Sequence, residues 1–322
     1  EAVDIIVIAP ATANVIAKIA CGLADDMLTT TVLATRAPVV LVPAMHTGMW
    51  ENRITQENVI RLKERGFYII PPDTGRLASG GYGAGRFPDT GTILGHIKKI
   101  LGKDGDMAGI NIVVTAGGTQ EPIDPVRVIG NRSSGKMGYA IAEAARDRGA
   151  SVTLITAPTS LPVPVGVEVV NVETADQMKE AVEKAVSRSS ALIMAAAVAD
   201  FRAASISAQK IKKESGNLVL ELVPTPDILS GINGNFIKVG FAAESQDLVA
   251  NACRKVERKK LDFIVANDIT EKDSGFGADT NRVIIIGQDG MPEELPLMSK
   301  RAVADRILDR VVRLLAAKGN KK

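Results

Sequence analysis

The sequence predicts an α/β protein built from two doubly wound, Rossmann-like domains, each around a parallel sheet. Two observations support this prediction. Short β-branched runs alternate with helix-like stretches along the chain, which is the order of βαβ units. A segment rich in Gly and Asp interrupts the alternation at residues 104–109, and a chain of 322 residues is long enough for two compact domains.

The first predicted domain, residues 1–103, contains strand-like runs separated by helical stretches. A Gly-rich stretch at residues 75–85 follows the third of these runs, and we expect it to be a loop. A further helix closes the domain. The predicted strands and helices are, in order, Asp4–Ile8, Ala13–Gly22, Pro38–Val42, Glu57–Arg65, Phe67–Ile70 and Asp89–Leu101.

Residues 104–109 are predicted to be a linker, and residues 110–322 to form the second domain, where the alternation restarts. A hairpin-like excursion is expected around residues 210–223. The other predicted strands are Asn111–Thr115, Ser151–Ile155, Ala191–Met194, Ile237–Ala242, Asp262–Val265 and Arg282–Ile286. The predicted helices are Lys136–Arg148, Ala175–Ser187, Asp247–Lys260 and Lys300–Ala317.

The balance of charges argues against several classes of protein. The sequence has 39 Lys and Arg residues and 37 Asp and Glu residues, so we expect no electrostatic binding to nucleic acid or to an anionic membrane. Cys21 and Cys253 provide neither a disulfide framework nor a zinc site, which favours a reducing cytoplasm. No apolar run reaches the roughly 20 residues of a membrane span. Because Glu1 directly precedes a strand-like run, we expect an upstream segment to be missing from the sequence.

A long loop between a predicted strand and the next helix, residues 117–138, is the first candidate binding site. Loops in compact α/β domains usually have about 2 to 6 residues, and open sheets bind ligands at the carboxyl ends of strands. Residues 130–136 have the spacing of a P-loop, but Met137 replaces the hydroxyl that would bind magnesium. Asn131, Lys136 and their neighbours bring donors to a helix start that suits an anion, unless the loop is simply solvated.

Two further segments carry candidate binding groups. The small residues 195–199 end a strand and would let a planar ring approach the backbone. Asp200, just beyond them, could accept from a base, hold a metal or cap the next turn. Lysines recur at residues 210–213 and at Lys255 and Lys259, which share one helical face. An isolated lysine pair would be a solvated face, whereas several converging lysines would suit a triphosphate.

These segments resemble the family of bifunctional phosphopantothenoylcysteine decarboxylase/phosphopantothenate-cysteine ligases of coenzyme A biosynthesis, over essentially the whole chain. The most specific stretches are Val114–Thr119, Glu121–Arg127 and Asn131–Gly138. The resemblance implies a flavodoxin-like FMN-binding module followed by a ligase module. It also implies a homo-oligomer, with ligase dimers inside a larger assembly.

The resemblance implies that the second domain ligates cysteine to 4′-phosphopantothenate with CTP, through an acyl-cytidylate intermediate. Lysines, Mg²⁺ and a positioned amide should stabilise the charge that develops on the phosphates and on the acyl group. Asn131 is assigned to the acyl-cytidylate or its conversion, and Lys210 to the triphosphate. The implied CTP-binding residues are Ala195, Ala196, Asp200, Lys210, Pro226, Asp227, Ile228, Leu229, Phe241, Lys255 and Lys259.

The first domain resembles the later part of the FMN-dependent cysteine decarboxylases. Their Pro-Ala-Ser-Ala-Asn motif appears as residues 10–14, which implies that FMN lies beside Thr12 and Asn14. Three features depart from the family: its early histidine base would lie upstream of Glu1, its Asn in Pro-x-Met-Asn is His46 here, and its Cys proton donor is Ser79. A serine hydroxyl is far less acidic than a thiol, so Ser79 is a poorer proton donor, and His46 is an alternative.

Two other functions compete with the bifunctional enzyme. One keeps the ligase and makes the first domain a non-catalytic FMN-binding module for assembly or regulation. The other is a dinucleotide-dependent reductase, which requires a G-x-G-x-x-G turn directly after the first strand of the second domain. Gly117-Gly118-Thr119 does not provide that turn. The sequence therefore argues against the reductase and leaves the activity of the first domain to be measured.

Overall fold

The computed structural model describes residues 3–213, 217–244, 247–268 and 277–319. The chain divides into two compact units, Glu1–Gly102 and Lys103–Lys322. Within the described ranges, no helix is both long enough and apolar enough to cross a membrane. Both units are built from strands and helices in alternation, and the predicted α/β fold class is confirmed.

The first unit alternates strands and helices in the order β1 (Ile6–Ala11), α1 (Ala13–Cys21), α2 (Met27–Ala34), β2 (Val39–Pro43), α3 (Thr47–Trp50), α4 (Arg53–Glu64), β3 (Tyr68–Ile69), β4 (Asp73–Arg76), β5 (Tyr82–Arg86) and α5 (Thr90–Leu101). Strands β1, β2 and β3 form a parallel sheet with β2 in the middle. Every residue of β2 is buried, because helices cover both faces. Ile16 of α1 and Leu62 of α4 pack on one face, and Ile93 and Ile100 of α5 on the other.

The Gly-rich stretch at residues 75–85 forms most of a β-hairpin, so the prediction of a loop there is wrong. Strands β4 and β5 pair antiparallel, and the Met45 N–H donates to the Gly85 carbonyl at 3.0 Å. A Cβ at Gly85 would lie 2.1 Å from the Met45 carbonyl oxygen. Glycine is therefore needed where two backbones approach closely, and this need produces a composition that resembles a loop.

The second unit continues the alternation in the order β6 (Asn111–Ala116), β7 (Gln120–Pro122), β8 (Val128–Gly130), α6 (Lys136–Asp147), β9 (Ser151–Thr156), β10 (Glu168–Asn171), α7 (Ala175–Val186), β11 (Ala191–Met194), β12 (Phe201–Ala203), β13 (Leu222–Pro224), α8 (Ile228–Gly231), β14 (Ile237–Glu244), α9 (Leu248–Lys259), β15 (Phe263–Asp268), β16 (Thr280–Gly287), β17 (Pro292–Ser299) and α10 (Lys300–Gly319). The long loop at residues 117–138 contains the β7–β8 hairpin. The excursion expected at residues 210–223 ends in β13, which pairs with β12, and residues 214–216 lie outside the described ranges.

The large sheet of the second unit has the strand order β10-β9-β6-β11-β14-β15-β16-β17. Neighbours are parallel from β10 to β15, and the last two pairings are antiparallel. Successive strands are added in one direction from β6 to β10 and in the other from β11 onward. Ligands bind at such a reversal in doubly wound sheets. Helices cover both faces, since Val113 of β6 packs in a cluster with α7 and α8, and Val114 in one with α6 and α10.

Residues 104–109, predicted from their composition to be a linker, lie against the second unit. Met107 is fully buried in the core of that unit, and its N–H donates to the Arg148 carbonyl at 3.0 Å. Arg148 Nε donates to Asp106 Oδ1 at 2.9 Å, and this guanidinium holds the pKa of Asp106 below its ordinary value. The segment therefore packs as part of the second unit.

Gly138 sets the distance between α6 and β6, and this gives a first testable prediction. A Cβ at Gly138 would lie 2.6 Å from the Ala116 Cβ and 2.7 Å from the Thr115 carbonyl oxygen. We expect Gly138→Ala to push α6 away from the sheet and to destabilise the second unit by about 1–3 kcal/mol, measured by thermal unfolding. Gly231→Ala is the control, because nothing lies within 4 Å of its added Cβ. Equal melting temperatures for the two variants would contradict this account of the packing.

Candidate functional site

A cavity of about 560 Å³ opens where the strand order of the large sheet reverses. Its walls come from the loops after β6 and β11, from α8 and β14, from one face of α9 and from the start of α10. Eleven of the twelve residues that the resemblance assigns to the ligase site lie in this wall: Asn131, Ala195, Ala196, Asp200, Pro226, Asp227, Ile228, Leu229, Phe241, Lys255 and Lys259. The structure thus brings together segments that are far apart in sequence.

Backbone hydrogen bonds join the loop after β6 to the loop after β11. The Ala197 N–H donates to the Gly117 carbonyl at 2.8 Å, and the Ala199 N–H donates to Thr119 Oγ1 at 2.8 Å. Thr119 is fully buried and Ala199 is nearly so. The floor of the cavity between β6 and β11 is therefore a rigid platform of small residues, which leaves room for a flat group above the backbone.

Asn131 connects the same two loops from above the platform. Its Nδ2 donates to the Val198 carbonyl at 3.0 Å and to the Ala197 carbonyl at 3.4 Å. Asn131 is exposed and lines the cavity. Because the two carbonyls engage its Nδ2, the amide is held in place and presents no charge to a bound molecule.

Cations line two sides of the cavity. On the first side, Lys136 begins α6, and its Nζ donates to Asp279 Oδ1 at 2.7 Å and to the Gly277 carbonyl at 2.9 Å. This ammonium holds the pKa of Asp279 below its ordinary value. Lys300 begins α10 nearby, and burial together with the charge of Lys136 lowers the pKa of its ammonium.

On the second side, α9 presents Lys255, Arg258 and Lys259 to the cavity. Lys259 Nζ donates to Asp227 Oδ1 at 2.9 Å, and Asp227 caps α8 by accepting from the Ser230 N–H at 3.3 Å. Burial acts to raise the pKa of Asp227, but Lys259 and Ser230 together hold that pKa below its ordinary value. A fixed cationic face of this kind suits a polyphosphate.

Five polar residues of the lining were missed by the analysis of the sequence: Thr225, Arg258 of α9, Asn267 of β15, Asn281 of β16 and Lys300 of α10. Asn267, Asn281 and Lys300 are buried. A weak signal exists for Asn267, because it interrupts the apolar run Phe263–Ala266 near the carboxyl end of a strand. Lys300 offers no such signal, since a lysine at a helix start is unremarkable in a sequence.

Lys210, assigned to the triphosphate, is exposed and is not among the residues that line the cavity. The next residue is firmly held: Asp124 Oδ2 accepts from the Ile211 N–H at 3.1 Å, and Arg127 Nη2 donates to the Ile211 carbonyl at 2.6 Å. Burial acts to raise the pKa of Asp124, but the N–H groups of Val126 and Arg127 and the guanidinium hold it well below its usual range. This clamp sets the path of the lysine segment 210–213.

Across the described residues, no group of three or more His, Cys, Asp or Glu side chains could hold a metal ion. The carboxylates in the described lining are Asp200 and Asp227, and Asp227 is already paired with Lys259. Magnesium usually keeps several waters and is bound by one or two carboxylates together with substrate phosphates. The residues present therefore fit a magnesium ion that arrives with a phosphate ligand, with Asp200 as its protein carboxylate.

In the first unit, Thr12 and Asn14 lie where β1 ends and α1 begins. Thr12 Oγ1 accepts from the Val15 N–H at 3.3 Å, and its own proton is left to donate outward. Both side chains are exposed at the carboxyl end of a strand of the parallel sheet. Hydroxyl, amide and first-turn N–H donors suit the phosphate of a flavin nucleotide, so these residues fit FMN.

The two candidate proton donors of the first unit lie on different elements. His46 caps α3, and its Nδ1 accepts from the Gly48 N–H at 3.2 Å, so the neutral ring carries its proton on Nε2. Ser79 is exposed at the tip of the β4–β5 hairpin, within a turn closed by the Leu77 N–H and the Gly81 carbonyl at 2.8 Å. Both side chains are exposed, and a histidine in its imidazolium form is a far better proton donor than a serine hydroxyl.

Comparison with known families supports the division of the chain. Residues 1–102 match the family described as flavoprotein. Residues 107–315 match the family described as DNA/pantothenate metabolism flavoprotein C-terminal domain. The second match contains the cavity and all the residues that line it.

Curated relatives and a solved structure agree with these matches. The coenzyme A biosynthesis bifunctional protein CoaBC of Bacillus subtilis (strain 168) is 45% identical over 324 residues, 99% of this chain and 80% of that protein. The protein of the same name from Escherichia coli (strain K12) is 43% identical over 316 residues, 96% of this chain and 78% of that protein. A crystal structure of the C-terminal domain of a CoaBC protein aligns with a TM-score of 0.57 and 39% identity, covering 66% of this chain and 98% of that one.

Proposed function

The chain belongs to the family of bifunctional coenzyme A biosynthesis proteins, and from this premise we propose the chemistry of its two units. The second unit ligates cysteine to 4′-phosphopantothenate with CTP. The first unit decarboxylates the resulting phosphopantothenoylcysteine with FMN. A ligase with a non-catalytic first unit is not favoured, because the relatives that match both units are bifunctional.

The observation that carries the ligase proposal is the composition of the cavity in the second unit. It combines a platform of small residues, a neutral amide at Asn131 and cations on two sides. A nucleotide needs a flat, uncharged surface for its base and several cations for its phosphates. The α9 residues Lys255, Arg258 and Lys259 supply the cations, and Ala195 and Ala196 supply the surface.

Ligation takes place in two transfers. A carboxylate oxygen of 4′-phosphopantothenate attacks the α-phosphorus of CTP, and pyrophosphate leaves with the bonding electron pair. The amine of cysteine then attacks the acyl carbonyl, the bond to CMP breaks, and the amine loses a proton. The α9 cations stabilise the phosphates in the first transfer, and Asn131 orients the acyl-cytidylate for the second. Bound magnesium would supply further neutralisation of the phosphates, with Asp200 as its protein ligand.

For the first unit, Thr12 and Asn14 would hold FMN, and the proton donor would be His46 or Ser79. FMN, when bound, supplies the electron sink that amino-acid side chains lack.

Purified full-length chain should therefore carry a flavin absorbance band, and Thr12→Val should weaken flavin retention without lowering ligase turnover. Release of CO₂ from phosphopantothenoylcysteine by the flavin-loaded protein tests the activity. If the Ser79→Ala variant still decarboxylates phosphopantothenoylcysteine and the His46→Gln variant does not, His46 is the proton donor.

Pyrophosphate release tests the ligase. The purified chain is given 4′-phosphopantothenate, magnesium and either CTP or ATP, and cysteine is added afterwards. We expect pyrophosphate with CTP, followed on cysteine addition by CMP and phosphopantothenoylcysteine. Preference for ATP would correct the choice of nucleotide alone, and no release with either nucleotide from folded protein would overturn the ligase assignment.

Two further properties belong to the proposal. We place the activity in the cytoplasm, since Cys21 and Cys253 are both free cysteines and the substrates are metabolites.

We also expect a homo-oligomer. Its support is the set of large apolar side chains exposed on the β7–β8 and β12–β13 hairpins, among them Val126, Val128, Phe201 and Leu222. Light scattering of the purified chain measures the oligomer directly.

A further inference from the structure

Lys238 is a buried lysine on β14 that does not line the cavity. Its residue is only 5% exposed, and its Nζ donates to three backbone carbonyls: Leu229 at 2.8 Å, Ile232 at 2.7 Å and Lys259 at 3.0 Å. An ammonium has three N–H donors, so all of them are used. Burial lowers the pKa of Lys238, because desolvation disfavours its charged form.

The three carbonyls lie at the ends of two helices. Leu229 and Ile232 belong to the end of α8, and Lys259 is the last residue of α9. Helix ends leave carbonyls without partners inside the helix, and a cation there is also favoured by the helix dipole. Lys238 therefore satisfies carbonyls of both helices with a single group and holds the two ends together.

Both of these helices supply the wall of the cavity that carries the proposed triphosphate cations. Leu229 lines the cavity, and the Lys259 side chain reaches Asp227 at the start of α8. The contacts close a ring: Lys238 binds the end of α8 and the end of α9, while Lys259 binds the start of α8. Loss of Lys238 removes the contacts that join the ends of α8 and α9, and α9 is the helix that carries the cations.

We propose that Lys238 is a positioning residue for nucleotide binding, acting through α8 and α9 without touching the nucleotide. The proposal rests on the ligase function given above. Three hydrogen bonds distinguish Lys238 from an ordinary core residue, because a methionine of similar length would fill the same space but leave three carbonyls without a donor. The expected consequence is a loss of order at Asp227 and Lys259, and a weaker grip on CTP.

The test is steady-state kinetics of Lys238→Met, with Lys238→Gln as a milder variant that keeps an N–H donor. We expect the KM for CTP to rise about tenfold in Lys238→Met, with the KM for 4′-phosphopantothenate and kcat within about twofold of wild type. The KM for CTP of Lys238→Gln should lie between those of wild type and Lys238→Met. If Lys238→Met does not fold, Lys238→Gln is used for the test.

Lys318→Met is the matched control. Lys318 also binds a backbone carbonyl, that of Phe236 at 3.3 Å, and lies 3.4 Å from Asp262, whose other oxygen accepts from the Lys238 N–H. Neither of these partners of Lys318 belongs to α8 or α9, so we expect an unchanged KM for CTP. Unchanged KM values in the folded Lys238 variants, or an equal rise in Lys318→Met, would overturn the inference. A wild-type chain that turns over neither CTP nor ATP overturns the ligase proposal itself, and the inference with it.

Discussion

Asn131→Asp should lower the rate of ligation by about a hundredfold, because it removes the amide that orients the acyl group. Asn131 Nδ2 donates to the Val198 carbonyl at 3.0 Å, and a carboxylate in its place would face that carbonyl and the anionic substrates as an unpaired charge. The loss should appear in the cysteine-dependent formation of phosphopantothenoylcysteine, measured by mass spectrometry. If the variant accumulates acyl-cytidylate when cysteine is omitted, the first transfer is intact and the second transfer is the one affected.

Asn111→Asp is the control for this substitution. Asn111 Nδ2 also donates to a backbone carbonyl, that of Arg188 at 3.2 Å, but it lies at the opposite end of β6. The same chemical change is thus made far from the cavity, and we expect wild-type turnover. A normal ligation rate in Asn131→Asp would remove Asn131 from the mechanism.

Asp147→Asn should destabilise the second unit by about 3 kcal/mol, because it leaves a buried arginine without its charge partner. Asp147 Oδ1 accepts from Arg146 Nε at 2.9 Å and from Nη2 at 2.6 Å, and Oδ2 accepts from Arg301. The Arg146 and Asp147 side chains are 4% and 6% exposed. Asparagine keeps one acceptor oxygen but replaces the other with an NH2 group, and the guanidinium groups of Arg146 and Arg301 can only donate. We expect the melting temperature to fall by roughly 5–10 °C.

Asp305→Asn separates this effect from the loss of any carboxylate that pairs with Arg301. Asp305 pairs with Arg301 Nε at 3.2 Å, but both side chains are about 40% exposed. Exposed pairs contribute about 0–1 kcal/mol, so its melting temperature should stay close to wild type. If Asp147→Asn melts no lower than Asp305→Asn, the buried network at the end of α6 does not stabilise the unit.

The alternation of strands and helices was predictable because central strands such as β2 and β11 are apolar on both faces. The central strand Ala191–Met194 has the bounds expected from the sequence, and it is buried throughout. Several elements were missed, and three of them show the reasons. Met27–Ala34 is a helix fixed by a capping box at Asp26, with little amphipathic pattern, and Glu168–Asn171 is a short edge strand. Pro292–Ser299 is an edge strand with two prolines, a composition that indicates a loop.

The candidate site was predictable where chemistry and position coincide. Asn131, Asp200 and Lys255 follow or flank strands at the ligand-binding edge, and the structure places all three around one cavity. The resemblance to the coenzyme A family is confirmed by the relatives. Contacts between distant segments were not predictable: Asp124 meets Ile211 across 87 positions of sequence, and nothing local marks Lys238 as a donor to two helices.

The central claim is that the cavity at the reversal of the second unit's sheet binds CTP, with the α9 cations on its phosphates. Calorimetric titration of CTP into the wild-type chain and into a Lys255→Met/Lys259→Met variant tests it most directly. Lys179→Met/Lys184→Met, on α7, is the control with the same change of charge. We expect the Kd for CTP to rise by about tenfold or more in the α9 variant alone. An unchanged Kd in a folded α9 variant would contradict the claim.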